Sequence, residues 1–368
     1  MRSKLYDRLF LGIVLILVVC GLLIFSSASL GIFEDGVQNY MFVVGKQILF
    51  GLIFGIIAMY IASNIYYKDW QRYSLLIFIT SIFLTLLVFV PRIGIDTLGA
   101  RRWVDFRFIS FQPSELLKLG FVIYFASWLS SKREDIMRFK EGFLFAMLLL
   151  SIPALILLSQ PDTGTLLCIL IAGMVMFFVA GGKLQHLFLL GLVATIGLGV
   201  VIYFKPYAMA RITTFIDPQA DPLGAGYQIR QALIAVGSGR ITGRGFGQSI
   251  QKFNFLPEPL GDAIYAVLAE EFGFAGSVFI VLLFLAFTLR GLRISSHAPD
   301  QFSRLLVLGI VILISGQSFI NIAAMLGILP LTGVPLLFIS HGGTALLVAL
   351  TEVGIILNVS RFAHTKKI

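Results

Sequence analysis

Long apolar runs separated by short polar segments dominate the chain, extending over Leu9–Phe25 and about 46–63, 72–90, 113–130, 142–159, 164–181, 184–204, 263–289, 303–326 and 342–360. Each approaches the roughly 20 residues that a helix needs to cross a bilayer, so the pattern predicts about ten transmembrane helices with both termini on one side. The first run follows Arg2, Lys4 and Arg8 and precedes Ser26-Ser27-Ala28, which has the look of a signal-peptidase site. It is longer than the usual signal core of about 7–15 residues and further spans follow, so it reads as a first helix. One long polar interruption, 204–262, lies between the seventh and eighth helices. Within it Ile229, Leu233 and Val236 recur at helical spacing opposite Gln228, Arg230 and Gln231, which predicts a short helix in the membrane interface. The expected fold is a single all-α polytopic membrane domain over 1–368.

Composition agrees with the pattern. Hydrophobic residues make up 58% of the chain and charged residues 13%, with a mean hydropathy of +0.94, which excludes an ordinary soluble domain. Cys20 and Cys168 both lie inside apolar runs and read as small buried hydrophobes.

Charge orients the helices. With the N-terminus inside, Arg2, Lys4, Arg8, Lys68, Arg72, Lys132, Arg133, Arg138, Lys140, Lys183, Arg290, Arg293, Arg304, Arg361, Lys366 and Lys367 all fall on the cytoplasmic side. Two outer segments are nonetheless basic. One holds Arg92, Arg101, Arg102 and Arg107, and the other Lys205, Arg211, Arg230, Arg240, Arg244 and Lys252. Positive charge on the disfavoured side suggests either an anionic ligand outside or a surface that faces lipid headgroups.

Acidic groups supply the candidate chemistry. Glu258, Asp262, Glu270 and Glu271 cluster where the long polar segment turns into the eighth apolar run. Asp262 sits at or near an expected helix start, so it is open to two readings, a helix cap or a reactive carboxylate. Glu115 and Lys118 are three apart on one face of the fourth helix, where they can pair or line a polar cavity. Asp162, in Gln160-Pro161-Asp162-Thr163-Gly164, is either a turn residue or a buried polar group whose partner comes from another helix. The Gly237–Gly247 stretch matches no nucleotide-binding fingerprint, yet glycines flanked by Arg240 and Arg244 suit either a flexible loop or a backbone cradle for pyrophosphate. Prolines and paired glycines between Asn321 and Ala345 predict broken helix, with His341 in a structural place.

The run Asn321-x5-Gly327-Ile328-x-Pro330-Leu331-x-Gly333-Val334-x3-Phe338-Ile339-Ser340-x-Gly342-Gly343-Thr344-Ala345 resembles the signature of the SEDS family (shape, elongation, division and sporulation), which includes FtsW and RodA. Arg101-Arg102-Trp103, Phe111-Gln112-Pro113-Ser114-Glu115 with Lys118, Gln160-Pro161-Asp162, Gly224–Gln228 and Leu256-Pro257-Glu258 with Asp262 follow in family order, so the similarity covers nearly the whole chain. Arg211–Pro218 and Gln251-Lys252 lean toward the FtsW branch. The resemblance implies polymerisation of lipid II into glycan strands, in division or elongation, with Asp262 as the catalytic residue. It implies that Glu115, Lys118 and Asp162 line a central cavity, and it makes Arg101, Arg102, Arg240, Arg244, Lys252 and Glu258 candidate substrate contacts. A divalent cation such as Mg2+ is a candidate helper at the leaving pyrophosphate. Expected partners are a class B penicillin-binding protein and other divisome or elongasome membrane proteins, with no nucleic acid. The expected location is the bacterial cytoplasmic membrane, both termini cytoplasmic. Where the family usually has His-Thr before the catalytic Asp this chain has Leu260-Gly261, and Leu337 and His341 are further departures. A lipid II flippase and an inactive divisome scaffold are the alternatives.

Overall fold

The computed structural model describes residues 6–35, 37–91, 93–97, 100–105, 110–132, 135–217, 219, 221 and 224–363. Arg2, Lys4, Arg133, Lys366 and Lys367 of the expected inner flanks lie outside them, as does Pro218 of the Arg211–Pro218 motif. In chain order the helices are α1 (Arg8–Ala28), α2 (Val37–Lys46), α3 (Phe54–Asn64), α4 (Tyr67–Arg72), α5 (Ser74–Leu86), α6 (Pro113–Ser131) and α7 (Phe145–Ser159). They continue as α8 (Thr163–Val179), α9 (Leu184–Phe204), α10 (Pro206–Ile216), α11 (Ala225–Ser238), α12 (Ile264–Ser296), α13 (Gln301–Met325) and α14 (Gly343–Phe362). A π-helical stretch, Gln47–Ile53, joins α2 to α3 in one rod.

The ten apolar runs all fall in helix. Among the described residues seven helical rods are long and apolar enough to cross a membrane, and Ser74–Phe89 and Thr163–Val179 are shorter apolar helices. α6 carries Glu115 and Lys118 among its 19 residues. This is a multi-pass membrane protein. α13 is the axis of the bundle, flanked by α6, α8, α12 and α14, and 83% of its apolar window is buried against 6% for α9 at the edge. Close approach relies on small residues, as in other membrane bundles. A β-carbon on Gly21 of α1 would meet the backbone of Phe338, and one on Gly354 of α14 would meet that of Met59.

One end is tied by an N-cap and an ion pair. Asp7 accepts from Phe10 N at 2.9 Å and holds Arg290 of α12 at 2.7 Å, while its own N–H donates to Ser360 of α14. At the other end a small antiparallel sheet, β1 (Gly94–Thr97), β2 (Ala100–Asp105) and β3 (Ser110–Phe111), departs from the all-helical expectation. Arg101–Val104 lies in its central strand.

The 204–262 connection is largely structured. The predicted interfacial helix is α11, but its buried face is turned from the one expected. Ile229, Ala232 and Ala235 are buried while Leu233 is exposed, because small alanines let α11 lie close against α12.

The Gly-rich stretch has a definite structural task. α12 breaks at Gly273, whose φ of 65° and ψ of −163° lie in a region essentially reserved for glycine. A broken helix leaves carbonyl and amide groups without partners, and residues 240–245 supply them. Arg244 N and Gly245 N donate to Glu270 O and Glu271 O, each at 3.0 Å, while Phe274 N and Ala275 N donate to Arg240 O and Ile241 O. Two of the amides that a pyrophosphate cradle would need are thus bound to α12. Gly273→Ala adds a β-carbon that meets Gly243 N in a backbone region foreign to alanine. We expect it to destabilise the protein by at least about 1–3 kcal/mol, measured as a lower unfolding temperature in detergent.

Candidate active site

Residues 253–263 form successive turns that deliver Asp262 to the head of α12. Leu256 N donates to Gln251 O, and Gly261 N and Ala263 N both donate to Glu258 O, with Glu258 in the left-handed region at φ 50°. The N-cap of α12 is Ala263, and no side chain caps it. Asp262 is therefore not a helix cap. Its carboxylate instead accepts from Gln228 Nε2 of α11 at 3.3 Å.

Three contacts hold the backbone beneath Asp262 against the segment between α13 and α14. Asn321 Nδ2 donates both to Asp262 O, at 2.7 Å, and to Val334 O, at 2.8 Å. Ser340 Oγ donates to Gly261 O at 2.7 Å while accepting from Leu336 N. His341 N donates to Leu260 O at 2.7 Å, and its ring stacks on Phe25. The departures at Leu260-Gly261 and His341 thus meet one another. Leu260 is buried, and the backbone carbonyls of the pair take the bonds from Ser340 and His341, which gives His341 the structural place expected of it.

The surroundings tune the carboxyl. Burial and the neighbouring Glu258 push the Asp262 pKa from its usual 3.8 up to about 6, partly opposed by Arg211 and the Gln228 hydrogen bond. A helix N-terminus would have acted the other way, and desolvation prevails. A carboxylate with a pKa near 6 suits general-base work near neutral pH.

Glu115 and Lys118 are both buried and form an ion pair at 2.9 Å. Lys118 Nζ also donates to Gln317 Oε1 of α13, and Gln317 Nε2 donates to Pro335 O at 3.1 Å. The pair therefore supports the 332–340 segment from below, one residue from the carbonyl that shares Asn321 with Asp262. Glu352 of α14, buried as well, acts electrostatically on both members of the pair. Asp162 caps α8 through Thr165 N at 3.3 Å and accepts from Ser114 Oγ of α6 at 3.4 Å, so it joins two helices and has the interhelical partner its sequence context demands.

The basic candidates separate into two groups. Arg101 is exposed on β2, whereas Arg102 on the same strand donates to Gln160 O and Pro161 O. Arg92 and Arg107 lie outside the described residues. Arg240 and Arg244 stand at the Gly273 break, 11 residues along α12 from Asp262 and so roughly 16 Å away at helical rise. Arg244 pairs there with Glu270 at 3.4 Å. Lys252 requires a correction, because a substrate cannot reach its ammonium. The group is fully buried and held by Glu271 at 2.8 Å, Gly247 O at 2.9 Å and Ser27 Oγ at 3.1 Å. Glu270 and Glu271 belong to the same buried network. Glu270 accepts from Ser249 Oγ, Ile250 N and Gln251 N, and Glu271 from Ser27 Oγ and Ser249 N.

Sequence reasoning passed over Gln47, Arg211, Gln228 and Gln317 as site residues. Gln47 clamps the segment before α14, accepting from Gly342 N and donating to Ser340 O. A polar amide inside an apolar run was the available signal for Gln47 and Gln317.

A multi-pass helical bundle with a partly buried carboxylate at the end of one long connection defines an integral membrane protein with a candidate site at the head of α12. The chain belongs to the cell cycle protein family of FtsW, RodA and SpoVE, whose model matches residues 7–365. Stage V sporulation protein E of Bacillus subtilis (strain 168) is 40% identical over 97% of this chain and 98% of its own length. A probable peptidoglycan glycosyltransferase FtsW of Geobacter sp. (strain M18) is likewise 40% identical, over 98% of each chain. Among solved structures, the rod shape determining protein RodA of Thermus thermophilus superposes with a TM-score of 0.72 at 25% identity, covering 98% of each chain. A chain of a peptidoglycan synthase complex superposes with a TM-score of 0.80 at 24% identity, over 98% of this chain and 99% of that one.

Proposed function

We propose that this chain is a peptidoglycan glycosyltransferase that polymerises lipid II at the outer face of the bacterial cytoplasmic membrane, with Asp262 as its general base. The observation that carries the reading is the Asp262 carboxylate, released from helix capping, desolvated and raised to about 6 at the head of α12. In the reaction an acceptor sugar hydroxyl gives its proton to Asp262 as its oxygen attacks the anomeric carbon of the donor. The bond to pyrophosphate breaks on the opposite face, so one displacement inverts the configuration and no covalent enzyme intermediate is required. Gln228 orients the carboxylate, and Glu258 helps to keep its proton affinity high. Among the described residues no three His, Cys, Asp or Glu side chains gather at one point. A divalent cation would therefore be held largely by substrate phosphates, and no step here passes through it.

All ten apolar helices cross the membrane in this reading, with 204–262 outside, both termini cytoplasmic and the whole chain one domain. Glu115, Lys118 and Asp162 act as supports beneath the site, since both members of the ion pair are 3% exposed and bonded to protein groups. A flippase would need them along an open path. The chain joins a class B penicillin-binding protein through its lipid-facing helices and outer connection. Its relatives named FtsW support this assignment, and so does the fold shared with a peptidoglycan synthase complex.

The test is direct. Purified chain, that partner, labelled lipid II and a divalent cation are combined in detergent, where no two-sided membrane exists. Glycan strands that lysozyme-type enzymes digest are expected. A flippase or a scaffold makes none there. If no active partner combination yields polymer while liposomes show lipid II crossing that depends on Glu115 or Asp162, the transporter reading replaces this one.

A further inference from the structure

One buried hydroxyl close to the proposed base is held away from every hydrogen bond. Thr214, in the last turn of α10, is 2% exposed, and its Oγ1 is buried without a partner. Helical threonines commonly bond back to a carbonyl of the preceding turn, as Thr213 beside it does to Met209 O and Ala210 O. Thr344 is the other such hydroxyl among the described residues, but it stands at the start of α14, where no turn of helix precedes it. Thr214 has a preceding turn and makes no bond to it. An orphaned buried donor costs stability, so its presence points to a ligand that takes its proton when bound.

Thr214 belongs to the wall of a cleft that is otherwise mostly apolar. With Phe215 of α10, Ile229 of α11 and Leu329, Pro330 and Leu331 it encloses about 230 Å³, and Arg211 lines the same space. One rotation about χ1 exchanges the hydroxyl and methyl of a threonine, so the proton can be offered to the cleft without movement of α10. Two links place the cleft next to Asp262. Ile229 follows Gln228, whose amide donates to the Asp262 carboxylate, and Leu331 lies three residues before Val334, whose carbonyl shares the Asn321 amide with Asp262 O.

We propose that this cleft is the subsite for the 2-acetamido group of the donor sugar, with Thr214 as the residue that reads its carbonyl. The inference rests on the glycosyltransferase reading and deepens it. Size is the first argument, since pockets that enclose a whole ligand run to about 300–1,000 Å³ and this cleft therefore suits a substituent. Chemistry is the second. An isoprenoid chain has no acceptor for the Thr214 proton, and a ring hydroxyl would be set against apolar walls. An acetamido group has a methyl for those walls and a carbonyl for the hydroxyl. Position is the third argument, because this group hangs from the carbon next to the anomeric one, which the acceptor oxygen attacks as it gives its proton to Asp262. The peptide-bearing arm of the sugar also pairs a methyl with a carbonyl, but it starts one carbon further away.

The subsite does more than select the sugar. A donor held only by its lipid pyrophosphate turns freely about the bond to its ring, and a seated acetamido group stops that rotation. The anomeric carbon is then presented to the acceptor in one orientation, which is the part of the barrier that positioning removes.

Binding by the full chain in detergent tests this, in an Asp262→Asn background that stops turnover. The probes are short-chain lipid II molecules whose pyrophosphate-bearing sugar carries an N-formyl, N-acetyl or N-butyryl group. N-acetyl should be preferred over both others by at least about tenfold, since one carbon fewer leaves the cleft part empty and two more overfill it. Leu329→Ala, at a position 37% exposed, should bring N-butyryl to within about threefold of N-acetyl. Thr214→Val removes the hydroxyl at nearly constant volume and should weaken N-acetyl binding at least about fivefold, and Thr214→Ser should restore most of it. The unfolding temperature of the ligand-free Thr214→Val chain should rise, because an orphaned buried hydroxyl is gone. Equal affinity for the three acyl forms overturns the proposal. So does full N-acetyl affinity in Thr214→Val, or a lower unfolding temperature in that variant, which would make the hydroxyl a support of the fold. Polymer synthesis by the chain with Asp262 intact is scored separately. Polymer made without acyl preference sinks the subsite alone, and acyl-selective binding that depends on Thr214 in a protein that makes no polymer sinks the glycosyltransferase reading alone.

Discussion

Asp262→Asn is expected to lower glycan polymerisation by about 10²- to 10⁴-fold, the contribution usual for a positioned general base, while the protein inserts and purifies normally. The substitution is nearly isosteric and keeps an oxygen for the Gln228 hydrogen bond. What it removes is the ability to take a proton. The wild-type pH profile should carry the same signature, because the base works only when deprotonated and its pKa stands at about 6. Turnover per encounter should fall about tenfold for each unit below pH 6 and level off above it. Stability should move in the opposite sense. A carboxyl whose folded pKa is raised above 3.8 adds stability below that value and loses it as pH rises through about 6. Asn, neutral throughout, avoids the cost of burying the charge. Asp262→Asn should therefore match wild type near pH 3 and be more stable at pH 8, by no more than about 3 kcal/mol, with about half of that difference already present at pH 5. Polymer yield and unfolding temperature measured together decide the matter. Near-wild-type polymer from the variant would remove Asp262 from the reaction, and a variant that is inactive because it unfolds would return the residue to a structural role.

The bundle was legible in the sequence because a bilayer demands long apolar runs, and run length does not depend on which helices touch. The sheet at 94–111 was not. Its strands are short, and arginines at 101 and 102 mask the β-forming Trp103 and Val104. Asp262 could be picked out by sequence, but its environment could not, since Glu258, Gln228 and Arg211 act on it from three separate segments. The Gly-rich stretch was ambiguous for a related reason. Glycines serve a ligand cradle and a tight backbone approach equally well, and only the break at Gly273 shows which groups the loop answers. Glu270 and Glu271 drew notice as carboxylates deep in an apolar run, and burial does single them out. Their partners, Ser27, Ser249 and Lys252, lie up to 244 residues away, and no local pattern pairs them.

Breaking the Lys252–Glu271 pair from one side is expected to be the most damaging single change to stability. The contact is 2.8 Å long between groups exposed by 0% and 1%. Removing one partner of a buried pair strands the other charge, at a cost of about 3–5 kcal/mol, whereas replacing both by apolar groups of similar volume is often nearly neutral. Lys252→Met should therefore lower the unfolding temperature sharply, and Lys252→Met with Glu271→Leu should recover part of the loss. Recovery should be incomplete, because Ser27 Oγ and Ser249 N still lose their acceptor. Activity separates the two tasks of the network. Lys252 anchors the start of the turns that end at Asp262, and Glu270 holds the amides of Ile250 and Gln251 in the same stretch. If the network sets the position of the base, the double variant should regain stability without regaining turnover, and its affinity for lipid II should stay near that of wild type. If stability and turnover return together, the pair only holds the fold. If the double variant is less stable than Lys252→Met, the two charges are not coupled as the geometry requires, and Glu271 serves Ser27 and Ser249 more than it serves Lys252.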